Sequence, residues 1–294
     1  MNRVALWIAL LLIPAALFGQ TASFHPTLPI DSAALFRGGS SFLDHHDPAS
    51  SGSGQSSTRP SPWAQSLQAE RETSAGSSTD NPCGFRGLAR HAWTEAGQFS
   101  RGFASAPRNA IRPDNLKWEL PVGAATGVLI AEGDRPLADR IRGKNIQDIS
   151  RLWSNIGLGV EIGSSGLAYA VGCAGHRSYL RETGLTTLDA LAAAGTTNLV
   201  LKLAFNRQFP YKRGTQGEFW EGGRSFPSGH AMVSWAFAAA VAHRYPHNRW
   251  LKWGAYGLAT GVALSRYPAK RHYASDILVG SALGYITGSY MAEH

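Results

Sequence analysis

Gly280, Gly284 and Gly288 recur every four residues inside the apolar stretch Tyr273 to Met291. That interval puts all three on one face of a helix, where the missing side chains let a second helix approach to backbone distance. Gly257 and Gly261 repeat the spacing in the stretch before it. Helical patterns also cover Glu119 to Ile130, Ile149 to Val171, Thr187 to Phe205, Gly229 to Arg244, Arg249 to Leu264 and Tyr273 to Met291, with short Gly, Pro and charged loops between them. The expected fold is all-α, a bundle of six helices.

Three segments carry chemistry. In Ser265-Arg-Tyr-Pro-Ala-Lys-Arg-His-Tyr-Ala-Ser-Asp276, His272 and Asp276 stand four apart where a helix begins, so they share a face. A carboxylate there can accept the proton of one imidazole nitrogen and leave the other free as a nucleophile. Arg266 adds a permanent planar cation suited to phosphoryl oxygens. In Arg224-Ser-Phe-Pro-Ser-Gly-His230, Ser228 is a candidate N-cap for the Ala-rich helix that follows. The amides of that helix start suit an anion, Gly229 admits close approach, and His230 sits where it can protonate a leaving oxygen. The third segment, Asn198 to Pro210, holds Lys202 between apolar neighbours, a costly place for an ammonium unless it reaches water or an anion.

Each piece alone has a plainer explanation. Ser-Gly-His before a helix is usually a cap with an incidental histidine, His272 and Asp276 alone can be a surface pair, and Lys202 alone can snorkel. Their joint occurrence favours a phosphate site.

Together the segments resemble the type 2 phosphatidic acid phosphatase (PAP2) and vanadium haloperoxidase superfamily, over roughly residues 115–292. Its pattern is Lys-x6-Arg-Pro, then Pro-Ser-Gly-His, then Ser-Arg-x5-His-x3-Asp. The second and third motifs are complete, as Pro227 to His230 and as Ser265, Arg266, His272 and Asp276. The first departs: Lys202 and Pro210 are in place, but Phe209 occupies the arginine slot. Arg207 is the nearest substitute, two residues earlier in a segment that the following proline keeps extended, and Lys212, Arg213 and Arg224 are looser ones. The resemblance implies that His272 attacks phosphorus, His230 protonates the departing oxygen and Asp276 orients His272. It further implies that Lys202, Arg266, Ser228 and Gly229, with Arg207 as the substitute, hold the phosphate, and that no metal is required.

The implied activity is that of a metal-independent phosphomonoesterase acting on a lipid phosphate or a small phosphate ester through a phosphohistidine. Two other readings are a vanadate-dependent haloperoxidase, with vanadate as cofactor, and a catalytically weakened phosphate- or lipid-binding envelope protein, which Phe209 motivates.

Asn2 and Arg3 ahead of the apolar run Val4 to Phe18, then small residues, read as a signal peptide over residues 1–22, with an uncleaved anchor as the alternative. Residues 23–82 read as a Ser/Gly/Pro-rich linker, largely disordered, and residues 83–294 as the helical domain. Export gives Cys83 and Cys173, the only two cysteines, an oxidising compartment in which to pair, with two free buried thiols as the alternative. Most apolar runs fall short of the roughly 20 residues of a membrane span, several are interrupted by Asp189, Glu161 or Lys202, and mean hydropathy is −0.16. The expectation is therefore an exported periplasmic or envelope domain that can rest on a membrane, with an integral phosphatase second. The net charge of +8 suits phosphorylated substrates or anionic headgroups, and no nucleic-acid recognition motif accompanies it.

Overall fold

The structure, a computed structural model, describes residues 82–110, 113–141, 143–212 and 217–294. The expected signal peptide lies outside them, as do Arg213 and all of the expected linker but its last residue. The elements are α1 (Phe85–Ala110), α2 (Pro113–Val128), a π-helical turn (Leu129–Gly133), α3 (Asp134–Asp139), α4 (Lys144–Ala174), α5 (Ser178–Phe205), α6 (Gly229–Arg244), α7 (Arg249–Ser265) and α8 (Ala274–Glu293). Among the described residues there is no strand, and the six expected helices are present as α2 and α4 to α8. Helix α1 and the short α3 were not expected. The described residues fall into a larger compact unit from Ala89 to His294 and a second one that ends at Leu88. Cys83 and Cys173 are both disulfide-bonded.

Helix α6 is apolar on nearly every side, and a helix of that kind is stable only in the interior. It is flanked by α5, α7 and α8. Its Met232, Ala236 and Ala240 join Ala190, Ala194, Leu201 and Phe205 of α5 and Val279 and Leu283 of α8 in the main core. Its Phe237, Ala238 and Val241 meet Ala255 and Ala259 of α7 in a second cluster.

The glycine face of α8 lies directly on the backbone of α6. A Cβ on Gly280 would stand 2.6 Å from the Ser228 carbonyl oxygen, one on Gly284 2.1 Å from that of Met232, and one on Gly288 2.1 Å from that of Ala236. This seam fixes the start of α8 beside the start of α6, and the Ser228 amide donates to the Asp276 carbonyl at 2.9 Å. The other pair behaves differently. A Cβ on Gly257 would meet nothing within 4 Å, and one on Gly261 only Trp153 Nε1 at 3.9 Å. The α7 contacts are made by Ala255, Ala259, Val262 and Ala263, so the close approach expected of its glycines does not occur.

Among the described residues, helices α4 and α5 are long and apolar enough to cross a membrane, the exceptions to the expectation that most such runs fall short. The acidic residues expected to interrupt them turn inward. Glu161 is fully buried and accepts from Ser234 Oγ at 2.7 Å, and Asp189 meets His91 Nε2 at 2.7 Å. The outer face of α4 is left apolar, with Ile149, Leu152, Trp153, Ile156, Val160 and Leu167 exposed.

Gly284→Ala is expected to destabilise the fold by about 1–3 kcal/mol, because α8 must move off α6. Gly257→Ala, in open space, should be neutral or stabilising by up to about 1 kcal/mol. Thermal unfolding of the two variants against the parent protein checks the contrast.

Candidate active site

The site forms where the segment between α5 and α6, the end of α7 and the start of α8 meet. Asn206 ends α5 in the left-handed conformation, and the chain after it folds back on itself. Gln208 donates to the Glu218 carbonyl at 3.0 Å, Ser225 to that of Arg207 at 3.0 Å and Gly223 to that of Asn206 at 3.2 Å. A side chain at Gly223 would strike the Arg207 carbonyl oxygen at 2.1 Å, so the return depends on a glycine there. The turn delivers Ser225 to Ser228 to the start of α6, with the Phe226–Pro227 peptide cis.

His272 is buried. Its Nδ1 lies 2.6 Å from the Ser225 carbonyl oxygen and 3.7 Å from Asp276 Oδ2. The nearer acceptor is thus a backbone carbonyl, and it holds the proton on Nδ1 so that the Nε2 lone pair is free. The Asp276 carboxylate stands behind the ring and also accepts from the Tyr273 amide at 2.9 Å, closing the first turn of α8. Burial lowers the pKa of His272, and Lys202 and Arg266 add to this while Asp276 opposes it, so the ring is neutral and nucleophilic.

Arg207 does not take the place foreseen for it. Its guanidinium is buried and turned toward protein carboxylates. Nε donates to the Gly217 carbonyl at 3.0 Å, Nη1 to Ser275 Oγ at 2.7 Å and to Asp276 Oδ1 at 2.6 Å, and Nη2 to Asp134 Oδ2 at 2.8 Å. Its two aromatic neighbours are Phe219, 4.7 Å away, and Tyr273, 4.3 Å away. The physical reason is the buried pair Asp134 and Asp276, which need a cation with two arms. Burial by itself would raise the pKa of Asp276, but the charge of Arg207 outweighs it, helped by His272 and the Tyr273 amide, and the carboxyl is held below its usual range. Asp134 also accepts from the Ser275 amide at 3.0 Å and from the Ser275 hydroxyl.

The other predicted residues converge. Ser228 occupies the N-cap position of α6, yet its hydroxyl makes no capping bond and is buried without a partner. Arg266 is 7% exposed; its Nη1 donates to Ser154 Oγ at 2.6 Å, and its Nε is buried without a partner. Lys202 donates to the Arg224 carbonyl. A Cβ on Gly229 would fall 2.8 Å from Asn198 Oδ1 and 3.7 Å from Lys202 Cε, so this glycine brings α6 against α5. His230 Nε2 lies 3.0 Å from Asn155 Oδ1. Burial, with the positive charges of Arg266 and Lys202 beside it, lowers the His230 pKa to about 3. Two unbonded buried donors beside several cations suit an oxyanion. Among the described residues no group of three His, Cys, Asp or Glu stands ready to hold a metal ion.

Phe209 stacks on Tyr211, with centroids 5.1 Å apart, and the Arg271 guanidinium lies over Tyr211 at 5.5 Å. Asp134, Ser154, Asn155 and the Ser225 carbonyl were not foreseen. The first three lie 73 to 141 residues from the groups they touch, and no local pattern marks them.

Arg207→Met is expected to cost about 3–5 kcal/mol, because it strands two buried carboxylates. Arg207→Lys should recover part of this, since an ammonium cannot fork to both. Denaturant unfolding of the two variants checks the order.

Residues 184–292 match the family model described as the PAP2 superfamily. The chain is 35% identical over 65 residues to a lipid A 1-phosphatase of Porphyromonas gingivalis, an alignment covering 22% of this chain and 15% of that relative. A solved structure, the transmembrane PAP2 type phosphatidylglycerolphosphate phosphatase from Bacillus subtilis, is similar at 21% identity and a TM-score of 0.32, over 58% of this chain and 93% of the other. Lys202, Ser228, His230, Arg266, His272 and Asp276 all fall inside the range, residues 184–292, that matches the PAP2 superfamily model.

Proposed function

We propose that this domain is a metal-independent phosphatase that hydrolyses a phosphate monoester, a lipid phosphate or a small ester, through a phosphohistidine. The observation that carries the reading is His272, with Nδ1 engaged by a carbonyl and Nε2 left free, next to the unbonded donors Ser228 Oγ and Arg266 Nε. Nε2 attacks phosphorus as the bond to the leaving oxygen breaks. Arg266, Lys202, Ser228 and the first amides of α6 stabilise the charge on the remaining oxygens. His230 gives its proton to the leaving oxygen and takes one back from the water that cleaves the phosphohistidine. In the free protein His230 is neutral at pH 7, so it gains its proton as the phosphate dianion enters and offsets the surrounding cations.

A lipid phosphate is the favoured substrate class. The site shares α4 and α5 with the apolar outer surface, and in this reading those helices lie in the apolar phase of a membrane, in an exported protein of the cell envelope. The named relative, a lipid A 1-phosphatase, supports the same class.

Phosphate release from phosphatidate in detergent and from soluble phosphate esters, without added metal, tests the proposal. His272→Ala should abolish release while leaving the thermal transition in place; full activity in that variant overturns the nucleophile assignment. Phe209→Arg should raise kcat/KM by about tenfold or more. The Arg207 guanidinium is committed to Asp134 and Asp276 and does not supply the missing clamp.

A further inference from the structure

Helix α4 precedes the matched domain, and none of its residues belongs to the three motifs. Two consecutive residues on it nevertheless touch the site. Ser154 Oγ accepts from Arg266 Nη1 at 2.6 Å, and Asn155 Oδ1 lies 3.0 Å from His230 Nε2. Ser154 is fully buried, whereas Asn155 is exposed and sits among Leu152, Trp153 and Ile156, all exposed and apolar. A lone amide on that face has no packing role, and its polar contact is the imidazole.

We propose that Asn155 is a positioning residue for His230: its carbonyl oxygen holds the Nε2–H, so that Nδ1 is the nitrogen that exchanges the proton with the reacting oxygen. This rests on the phosphatase reading for its chemistry, though not for its geometry. An amide oxygen can only accept, so Nε2 must carry a hydrogen in both charge states of the ring. The mobile proton is then confined to Nδ1. In the first step it passes from Nδ1 to the departing alkoxide as the P–O bond breaks and the Nε2–P bond to His272 forms. In the second step water gives a proton to Nδ1 while its oxygen bonds to phosphorus and the N–P bond breaks. The charged neighbours of His230 work against this cycle. Lys202 from α5 and Arg266 at the end of α7 both disfavour the imidazolium. On α4, Asp148 and Arg151 pair with each other and Glu161 accepts from Ser234, one turn along α6 from His230, while Asp276 is engaged by Arg207. Asn155 is the group in direct contact that favours the charged ring.

The test uses the full chain in detergent with nitrogen-labelled histidine, His230 being assigned by its loss in His230→Gln. In the parent protein the neutral His230 ring should be the Nε2–H tautomer, and Asn155→Ala should remove that preference. Asn155→Asp, which sets a carboxylate at the same distance, should move the His230 titration upward by about one to three pH units. Turnover gives the second readout. Asn155→Ala should lower kcat about 10- to 100-fold with KM within about threefold, and Asn155→Asp should recover rate and carry the alkaline limb of kcat to higher pH. An unchanged tautomer in Asn155→Ala together with an unchanged titration in Asn155→Asp overturns the proposal. If the parent protein releases no phosphate, the phosphatase reading falls, and the resonance data alone decide for or against the role of Asn155.

Discussion

A buried guanidinium between two buried carboxylates organises this molecule. Arg207 reaches Asp276 through one arm and Asp134 through the other, at 2.6 and 2.8 Å, with side chains no more than 1% exposed. Charges this deep are tolerated only when each offsets the other's lost hydration and the remaining hydrogen-bonding positions are filled. The Gly217 carbonyl and Ser275 fill two of them. The bridge joins α3, the return segment after α5 and the first turn of α8. Those parts form the wall behind His272, so its ring is positioned by a structural ion pair.

The glycine seam between α6 and α8 complements this bridge. One acts by absence of side chain, letting two backbones touch, and the other by charge. Both act on the first turn of α8, where Asp276 accepts from Arg207 through its side chain and from the Ser228 amide through its backbone carbonyl. A packed interior does not deform continuously, so Ser228, His230 and His272 keep a fixed relation set by helix packing. The electrostatic balance around them is lopsided. Lys202 and Arg266 crowd His230, and a dianionic phosphate is the natural partner for that excess of positive charge.

The sequence motifs marked six side chains that the structure brings to one place, because each motif sits at a helix end where local pattern dictates backbone. Ser228 to His230 had to open a helix, and His272 and Asp276 had to share a face. The same local logic failed for Arg207. Its alternation with Phe209 was read as a substitute clamp, but the partner that claims it, Asp134, is more than seventy residues away. It failed similarly for Gly257 and Gly261, whose spacing matches that of the α8 glycines although no neighbouring backbone comes within 4 Å of where their Cβ atoms would be. Glu161 and Asp189 looked like interruptions of apolar helices, and a one-dimensional pattern could not show that both turn inward.

By itself, then, the sequence determined the helical class, the bounds of α6, α7 and α8 and the motif side chains that the structure brings together, since periodicity, capping and side-chain chemistry act within a few residues. Only the tertiary structure decided which acceptor fixes the His272 tautomer, which carboxylates own Arg207, and that Ser154 and Asn155 reach Arg266 and His230 from another helix. These are contacts between residues far apart in the chain, chosen by how helices cross and by the requirement that buried charge find a partner, and no local pattern encodes either.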